Sequence, residues 1–579
     1  FVLSVGNAKY TVVFLNSSKL PTMFINTPEG GLDRIHADKS HKEKGCTMLA
    51  LNSKGNVDYD AELASMKGRG NSTWGYPKKP YNIKLGSKAK LFGMEKAKSW
   101  CLIANYEDLS LLRDQIIFSV GAEIGLRETP DCRSIDLYVN GEYKGVYLIT
   151  EKVEINKNRV DIFDLEEATE DLNPDLDFST LPAQGFYGKY SGSLESTQRW
   201  YEIPNDPADI PGGYLMELEL GSRYPNEASG FVTKRSQPVI LKSPEYASQA
   251  QIEYISGYWQ EMEDALYSDT GYNSLGKHYS EYIDTLSYAR QYLIEEWSGD
   301  WDAGITSNYF YKAANGKICA GPIWDFDSAA NNVRAGHTIS DPMQWNAKTR
   351  TLWYNALMGN DTVKATPNIY ALGFRHADFV ETVESEWKNN FYHAAQSELN
   401  ANIDMYIDNI KDAAIMNAIR WDYYATTSER EIEAQYFADL KVVTDFLSAR
   451  TDFLNQNLTL KNEGLTIAHI PSQKRTGSEI TPEITVKCLD RVLTEGVDYT
   501  VAFSDNVENG TATVTVTGMG DYEGMEAQTT FKILLVSDPL DWTGGSGEER
   551  AKENLNNFGA KFVDTVELIL YYIVKPFKK

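Results

Sequence analysis

The first 160 or so residues place apolar side chains at the two-residue period of strands. Tyr10-Thr-Val-Val-Phe-Leu15 and Thr22-Met-Phe-Ile25 are short β-rich runs bounded by turn residues. Tyr81-Asn-Ile-Lys-Leu85 alternates apolar and polar positions. Ser134 to Val139 and Tyr143 to Thr150 flank Asn140-Gly141, and Asn-Gly between two such runs predicts a hairpin on a type I′ turn. One helix is expected inside this region, around Leu109 to Ile124.

Beyond this the period changes. Residues 164 to about 212 are rich in Asp and Glu, then in Pro and Gly, and read as an insertion forming a solvated surface loop. Tyr214-Leu-Met-Glu-Leu-Glu-Leu220 returns to a strand. From about 247 to 460 the spacing is helical. Ile283, Leu286, Ala289, Leu293 and Trp297 mark one helix face, and Ile432, Tyr436, Leu440, Val443 and Leu447 another. Ser428 and Glu431 predict a capping box before the second. Residues 464–536 carry short strand candidates, Glu483–Lys487 and Thr511–Thr517, and predict a small all-β sandwich. A Gly-rich linker over 538–552 and a helix over 553–579 follow, the helix reading as one that docks on protein rather than on a membrane surface. The expected class is α+β, with a β-rich N-terminal part and a helical C-terminal part spanning 1–460.

Composition narrows the function classes. The 579 residues carry 82 Asp plus Glu against 56 Lys plus Arg, a formal net charge of -26. A surface this acidic repels nucleic-acid phosphates, which argues against a nucleic-acid partner. The five cysteines, at 46, 101, 132, 319 and 488, form no CxxC pair, so neither a zinc ribbon nor a dense disulfide framework is supported. The seven histidines form no HExxH, so zincin chemistry is unsupported as well. The chain opens at Phe1 without a signal-peptide pattern, which reads as a processed or trimmed start.

Against that acidity, Lys67, Arg69, Lys78, Lys79, Lys84, Lys88 and Lys90 fall in one window without an Asp or Glu. Gly68, Gly70 and Gly75 among them allow backbone amides close to an anion, so the window reads as a phosphate-binding sheet edge or as a basic rim balancing the surface. A second group, Asp300, Asp302, Asn308, Asp325 and Asp327, surrounds a predicted hairpin made of Asn308–Lys312 and Ile318–Ile323. Mg²⁺ takes hard oxygen ligands and keeps phosphate oxygens and waters in its shell, so one or two such side chains suffice beside ATP. A further Asp can take the proton of an acceptor hydroxyl. The order resembles that of protein kinases, although the six residues from Asp302 to Asn308 are one more than kinases use. A competing reading makes Asp302 and Asp325 a glycosidase pair, and a plainer one has these Asp residues cap turns. The basic window favours phosphate chemistry.

Arg69-Gly-Asn-Ser-Thr-Trp-Gly-Tyr-Pro-Lys-Lys-Pro-Tyr-Asn-Ile-Lys-Leu85 resembles the signature of the CotH family, the spore-coat-protein-H type of atypical protein kinases. Leu111-Leu-Arg-Asp114, then Leu137-Tyr-Val-Asn-Gly-Glu-Tyr-Lys-Gly-Val-Tyr-Leu-Ile-Thr-Glu151, then Ile323-Trp-Asp-Phe-Asp327 match it in order, and Gly212-Gly-Tyr-Leu-Met-Glu217 adds a further likeness. The resemblance spans roughly residues 5–455. It implies a two-lobe, protein-kinase-like fold, ATP with Mg²⁺ or Mn²⁺, and transfer to Ser or Thr of a protein. Asp302 would be the catalytic Asp and Asp325 the metal Asp, with Asn308 and Asp327 as further ligands. Lys84 would contact phosphate, aided by Arg69 and Lys79. Glu151 would lie near the hinge that holds adenine, and Arg113 would support the phosphate site or the fold.

Residues 464–536 resemble the bacterial Ig-like repeats of Gram-positive surface proteins, on Leu493-Thr-Glu-Gly-Val-Asp-Tyr-Thr-Val501, Asn509-Gly-Thr-Ala-Thr-Val514 and Gly518-Met-Gly-Asp-Tyr-Glu-Gly524. That likeness implies a secreted or cell-surface bacterial protein, with a surface or glycan partner for the module. The alternative expectation is a non-catalytic adhesion or polymer-binding protein on a kinase-like fold.

Overall fold

The computed structural model describes residues 2–5, 8–11, 19–347, 376–458 and 465–534, apart from positions 186, 187, 191, 269, 427, 489 and 490. The chain divides into two units, 1–458 and 459–579.

The first unit opens with an antiparallel pair, β1 (Val2–Val5) and β2 (Ala8–Thr11). Seven strands then close into a barrel: β3 (Thr22–Asn26), β4 (Thr47–Leu51), β5 (Val57–Gly68), β6 (Tyr81–Ala89), β7 (Ala97–Ile103), β8 (Cys132–Val139) and β9 (Glu142–Glu151). Strand alternation fills its interior with Met23, Met48, Leu63, Ile83, Trp100 and Ile149, all buried. The β8–β9 hairpin turns on Asn140 (φ 53°) and Gly141 (φ 79°), both left-handed as the Asn-Gly pair predicts. Helix α1 (Gly31–Ala37) sits between β3 and β4, and α2 (Arg113–Glu123) between β7 and β8. Helix α2 starts later than the sequence suggests. Asp108 takes the Ser110 amide and hydroxyl, and Leu111 is left-handed (φ 61°), so a turn precedes the helix.

A second sheet follows the barrel. Its strands are β10 (Ala183–Gly185), β11 (Arg199–Tyr201), β12 (Tyr214–Leu218), β13 (Gly230–Val232), β14 (Pro238–Ser243), β15 (Tyr309–Lys312) and β16 (Ile318–Ala320), in the order β10-β11-β13-β14-β12-β15-β16. The acidic segment is therefore more than a solvated loop. It supplies α3 (Leu165–Asp171), the edge strand β10 and its neighbour β11, and a small apolar cluster of Phe178, Tyr201 and Ile203. Its acidic residues sit between these apolar anchors, so charge counting alone hid them. Gly212 enters β12 where a Cβ would lie 1.9 Å from the Ala314 nitrogen, which only glycine permits.

The helical body comprises α4 (Gln249–Leu266), α5 (Thr285–Ser298), α6 (Ala377–Glu386), α7 (Tyr392–Ser397), α8 (Ile403–Trp421) and α9 (Glu429–Asn457). Two π-helical turns, Trp387–Phe391 and Glu398–Asn402, join α6, α7 and α8. The predicted face of α9 is buried throughout, and so are Ala289, Leu293 and Trp297 of α5. Leu286 is instead exposed, and Ile283 precedes the helix. The expected capping box at Ser428 does not form: Thr426 donates to the Glu431 carboxylate and also receives the Ser428 amide.

Helix α8 docks on β9 through Asn417, whose Oδ1 accepts from Val146 N (3.1 Å) and from Lys78 Nζ (2.9 Å). Lys78 is fully buried, with its ammonium also on Val146 O and over the Tyr147 ring. Burial pushes this ammonium well below its usual value.

The second unit has three short strands, β17 (Thr466–Ile467), β19 (Val486–Cys488) and β20 (Arg491–Val492), and a four-stranded sheet of β18 (Gln473–Lys474), β21 (Tyr499–Ser504), β22 (Gly510–Gly518) and β23 (Glu526–Leu534). Val486, Val514, Val516 and Ile533 share its core. The expected linker and C-terminal helix lie outside the described residues. Among the described residues no helix is long and apolar enough to cross a membrane.

Candidate active site

The carboxylates converge where α5, the β15–β16 hairpin and α2 meet. Helix α5 ends at Gly299, in the left-handed region at φ 61°. A tight turn follows, in which the Asp302 carbonyl accepts from Ile305 N (2.9 Å) and Thr306 N (3.3 Å). Asp302 is half-buried in this turn. After the hairpin the chain returns with Asp325 and Asp327, also half-buried. Asp325 is left-handed (φ 70°), a strained conformation for Asp, and its Oδ2 accepts from Ser307 Oγ at 3.0 Å.

The charges lie within each other's fields. Burial, with Asp325, Asp114 and Asp302 nearby, holds the Asp327 carboxyl well above the usual range. Burial and Asp325 raise Asp114 to about 7. Burial and Asp302 likewise raise Asp300. Crowded negative charge of this kind suits a divalent cation. Among the described residues, no three His, Cys, Asp or Glu side chains form a ready-made metal cage. Mg²⁺ beside a nucleotide takes one or two carboxylates, the rest coming from phosphate and water, so Asp325 and Asp327 fit that requirement.

Arg69 is the predicted cation that meets this cluster. Its guanidinium lies 5.3 Å from the centroid of Trp324, the residue before Asp325, and its charge offsets a small part of the rise at Asp114. The structure does not bring Lys84 there. Lys84 stands exposed on the outer barrel face between Ser65 and Ser99, because the inward positions of β6 are Ile83 and Leu85. Lys79 turns back onto Trp74, donating to its carbonyl. Lys67, two positions before Arg69, is half-buried, and burial together with Lys42 and Lys152 lowers its ammonium.

Three other expected residues are committed to protein partners. Arg113 is buried and pairs with Asp108; it also donates to Ala329 O (2.9 Å) and Ala330 O (3.2 Å). It is placed as a support of the loop after Asp327 rather than facing the cluster. Asn308 is buried, accepting from Gly304 N and donating to Glu295 Oε1 at 3.0 Å. Burial raises Glu295 to about 8, which favours its protonated form. Asn308 thus braces the Asp302 turn against α5. Glu151, at the end of β9, accepts from Arg159 Nη1 (2.6 Å) and Asp131 N (3.2 Å). Sequence reasoning did not single out Asp114, Ser307 or Trp324. Asp114 lay inside a quoted motif, but nothing in the sequence showed which way it faced.

A half-buried, carboxylate-lined turn with one arginine beside it thus sits within an α+β scaffold. The family model described as CotH kinase protein matches residues 66–454, and the chain belongs to that family. This membership points to a kinase-like function. No curated protein matches the chain.

Proposed function

We propose that the chain is a metal-dependent protein kinase that moves the γ-phosphoryl group of ATP to a Ser or Thr hydroxyl. The observation that carries this reading is the convergence of Asp302, Asp325 and Asp327, with Arg69 over the adjoining Trp324 ring, within the span of the family match. The acceptor oxygen forms its bond to the γ-phosphorus as the bond to the bridging oxygen of ADP breaks. Asp302 accepts the hydroxyl proton and orients the oxygen for attack. Asp325 and Asp327 hold Mg²⁺ or Mn²⁺, which when bound neutralises phosphate charge. Arg69 faces the phosphates, its plane fixed against Trp324. Ser307 and Asn308 hold the two acidic turns in register.

The all-β second unit supports reading residues 464–536 as an Ig-like module, and with it a secreted or surface-displayed protein. The test is phosphate transfer from labelled ATP, with Mg²⁺ and with Mn²⁺, to the chain itself and to a Ser-containing peptide set. Metal-dependent labelling that disappears in Asp302→Ala is the expected result. No labelling, together with no thermal shift from nucleotide plus metal, would sink the kinase reading in favour of a binding protein on the same scaffold.

A further inference from the structure

Helix α2 grips the Asp325 loop along its whole length. Arg113 takes the carbonyls of Ala329 and Ala330. One turn on, Phe118 stacks on Trp324 with ring centroids 6.2 Å apart and meets Phe326 edge-on at 6.1 Å. At Gly121 a Cβ would lie 2.5 Å from Ile323 Cδ1, so the helix and the start of the loop touch directly. Between these contacts, Asp114 Oδ1 accepts the backbone amide of Phe326 at 2.9 Å. Asp114 and Phe326 are both buried, at 2% exposure each.

The Phe326 amide lies between the two carboxylates assigned to the metal. Asp325 before it is left-handed, so its backbone is not in a well that would persist unaided. A buried N–H without a partner is costly, and Asp114 is the partner this amide has. We propose that Asp114 is a positioning residue for phosphoryl transfer, fixing the Asp325–Asp327 turn from α2 through the Phe326 amide. This inference rests on the kinase reading for its catalytic consequence, but its structural core does not. The role needs an acceptor oxygen at Oδ1 and does not need a charge. A direct metal ligand or a charge partner of Arg69 would need the charge.

The distinction is testable with Asp114→Asn, which keeps the acceptor, and Asp114→Leu, which removes it. Amide hydrogen exchange over residues 323–330 is measured in the full chain, without nucleotide. Exchange in Asp114→Asn is expected to stay near wild type, and in Asp114→Leu to rise about tenfold to a hundredfold, as loss of a buried hydrogen bond requires. Affinity for Mg²⁺–ATP and the rate of transfer are then compared. Asp114→Asn should retain both within a few-fold, while Asp114→Leu loses kcat more than KM. Equal damage from both variants, in exchange or in nucleotide affinity, would overturn the proposal. If Asp114→Leu does not fold, Asp114→Ser, too short to reach the Phe326 amide, takes its place against the same Asn comparison. A chain that shows no transfer at all but shows the Asn–Leu split in exchange would count against the kinase reading and leave the positioning contact standing.

Discussion

Ser307 and Asp325, eighteen residues apart, are both held in the left-handed region, at φ 58° and 70°, and are joined by a 3.0 Å hydrogen bond from Ser307 Oγ to Asp325 Oδ2. Two strained residues support each other: the bond fixes the rotamer of Asp325, and the turn holding Ser307 also carries Asp302. Ser307→Ala is therefore expected to weaken Mg²⁺–ATP binding by about tenfold to a hundredfold, the worth of one hydrogen bond to a charged group. Its melting temperature should move little. Titration calorimetry decides the point, and unchanged affinity would mean that Asp325 does not need this partner.

Asp302 and Asp325 should fail differently. Asp302→Ala is expected to lower the transfer rate by about 10²–10⁴-fold, the usual reach of a general base, with nucleotide affinity largely kept. Asp325→Ala should instead weaken metal-dependent nucleotide binding. Single-turnover transfer and calorimetry on the same two variants separate the roles. Full activity in Asp302→Ala would remove it from the mechanism.

The two arginines should also separate. Arg113 is buried with its donors on Asp108, Ala329 and Ala330, so Arg113→Ala leaves an unpaired buried carboxylate and is expected to cost about 3–5 kcal/mol of stability. Arg69 is half-buried beside Trp324, and Arg69→Gln should leave the melting temperature nearly unchanged while weakening ATP binding. Denaturant unfolding and nucleotide titration test the pair. A large stability loss from Arg69→Gln with normal ATP affinity would reverse their assignment.

Asp136, on β8, gives a pH signature. Burial raises its carboxyl to about 6, and it accepts from the Tyr143 hydroxyl at 2.9 Å. The folded state holds this proton at a pH where the unfolded chain has released it. Stability from this group is therefore present below about pH 4 and is lost as pH rises toward 6, by about 3 kcal/mol in all. Asp136→Asn should flatten that slope while leaving the tyrosine an acceptor. Parallel wild-type and variant slopes between pH 4 and 6 would show that Asp136 titrates normally.

How much of the site was legible follows from what each residue needed. The acidic residues around the hairpin could be grouped because the β15–β16 return is local, closed over a few residues. The basic window could be found as a charge anomaly, but its members separate once β6 is paired. Lys84 goes outward by strand alternation, Lys78 goes under α8 to Asn417, and Arg69 reaches Trp324. The destinations of Lys78 and Arg69 depend on partners more than 200 residues away, which no local period encodes. The insertion was misread for a related reason: its strand β11 pairs with β13, a neighbour known only after folding.

The sequence by itself determined the α+β class, the Asn-Gly hairpin, the buried face of α9, the all-β second unit and the family, because periodicity, turn chemistry and ordered motifs are properties of short stretches. Tertiary structure decided which charges work together. Burial and field strength depend on what packs from distant elements, and so only the folded chain could set Asp114 under Phe326, Ser307 on Asp325, and Arg113 on the Ala329 and Ala330 carbonyls.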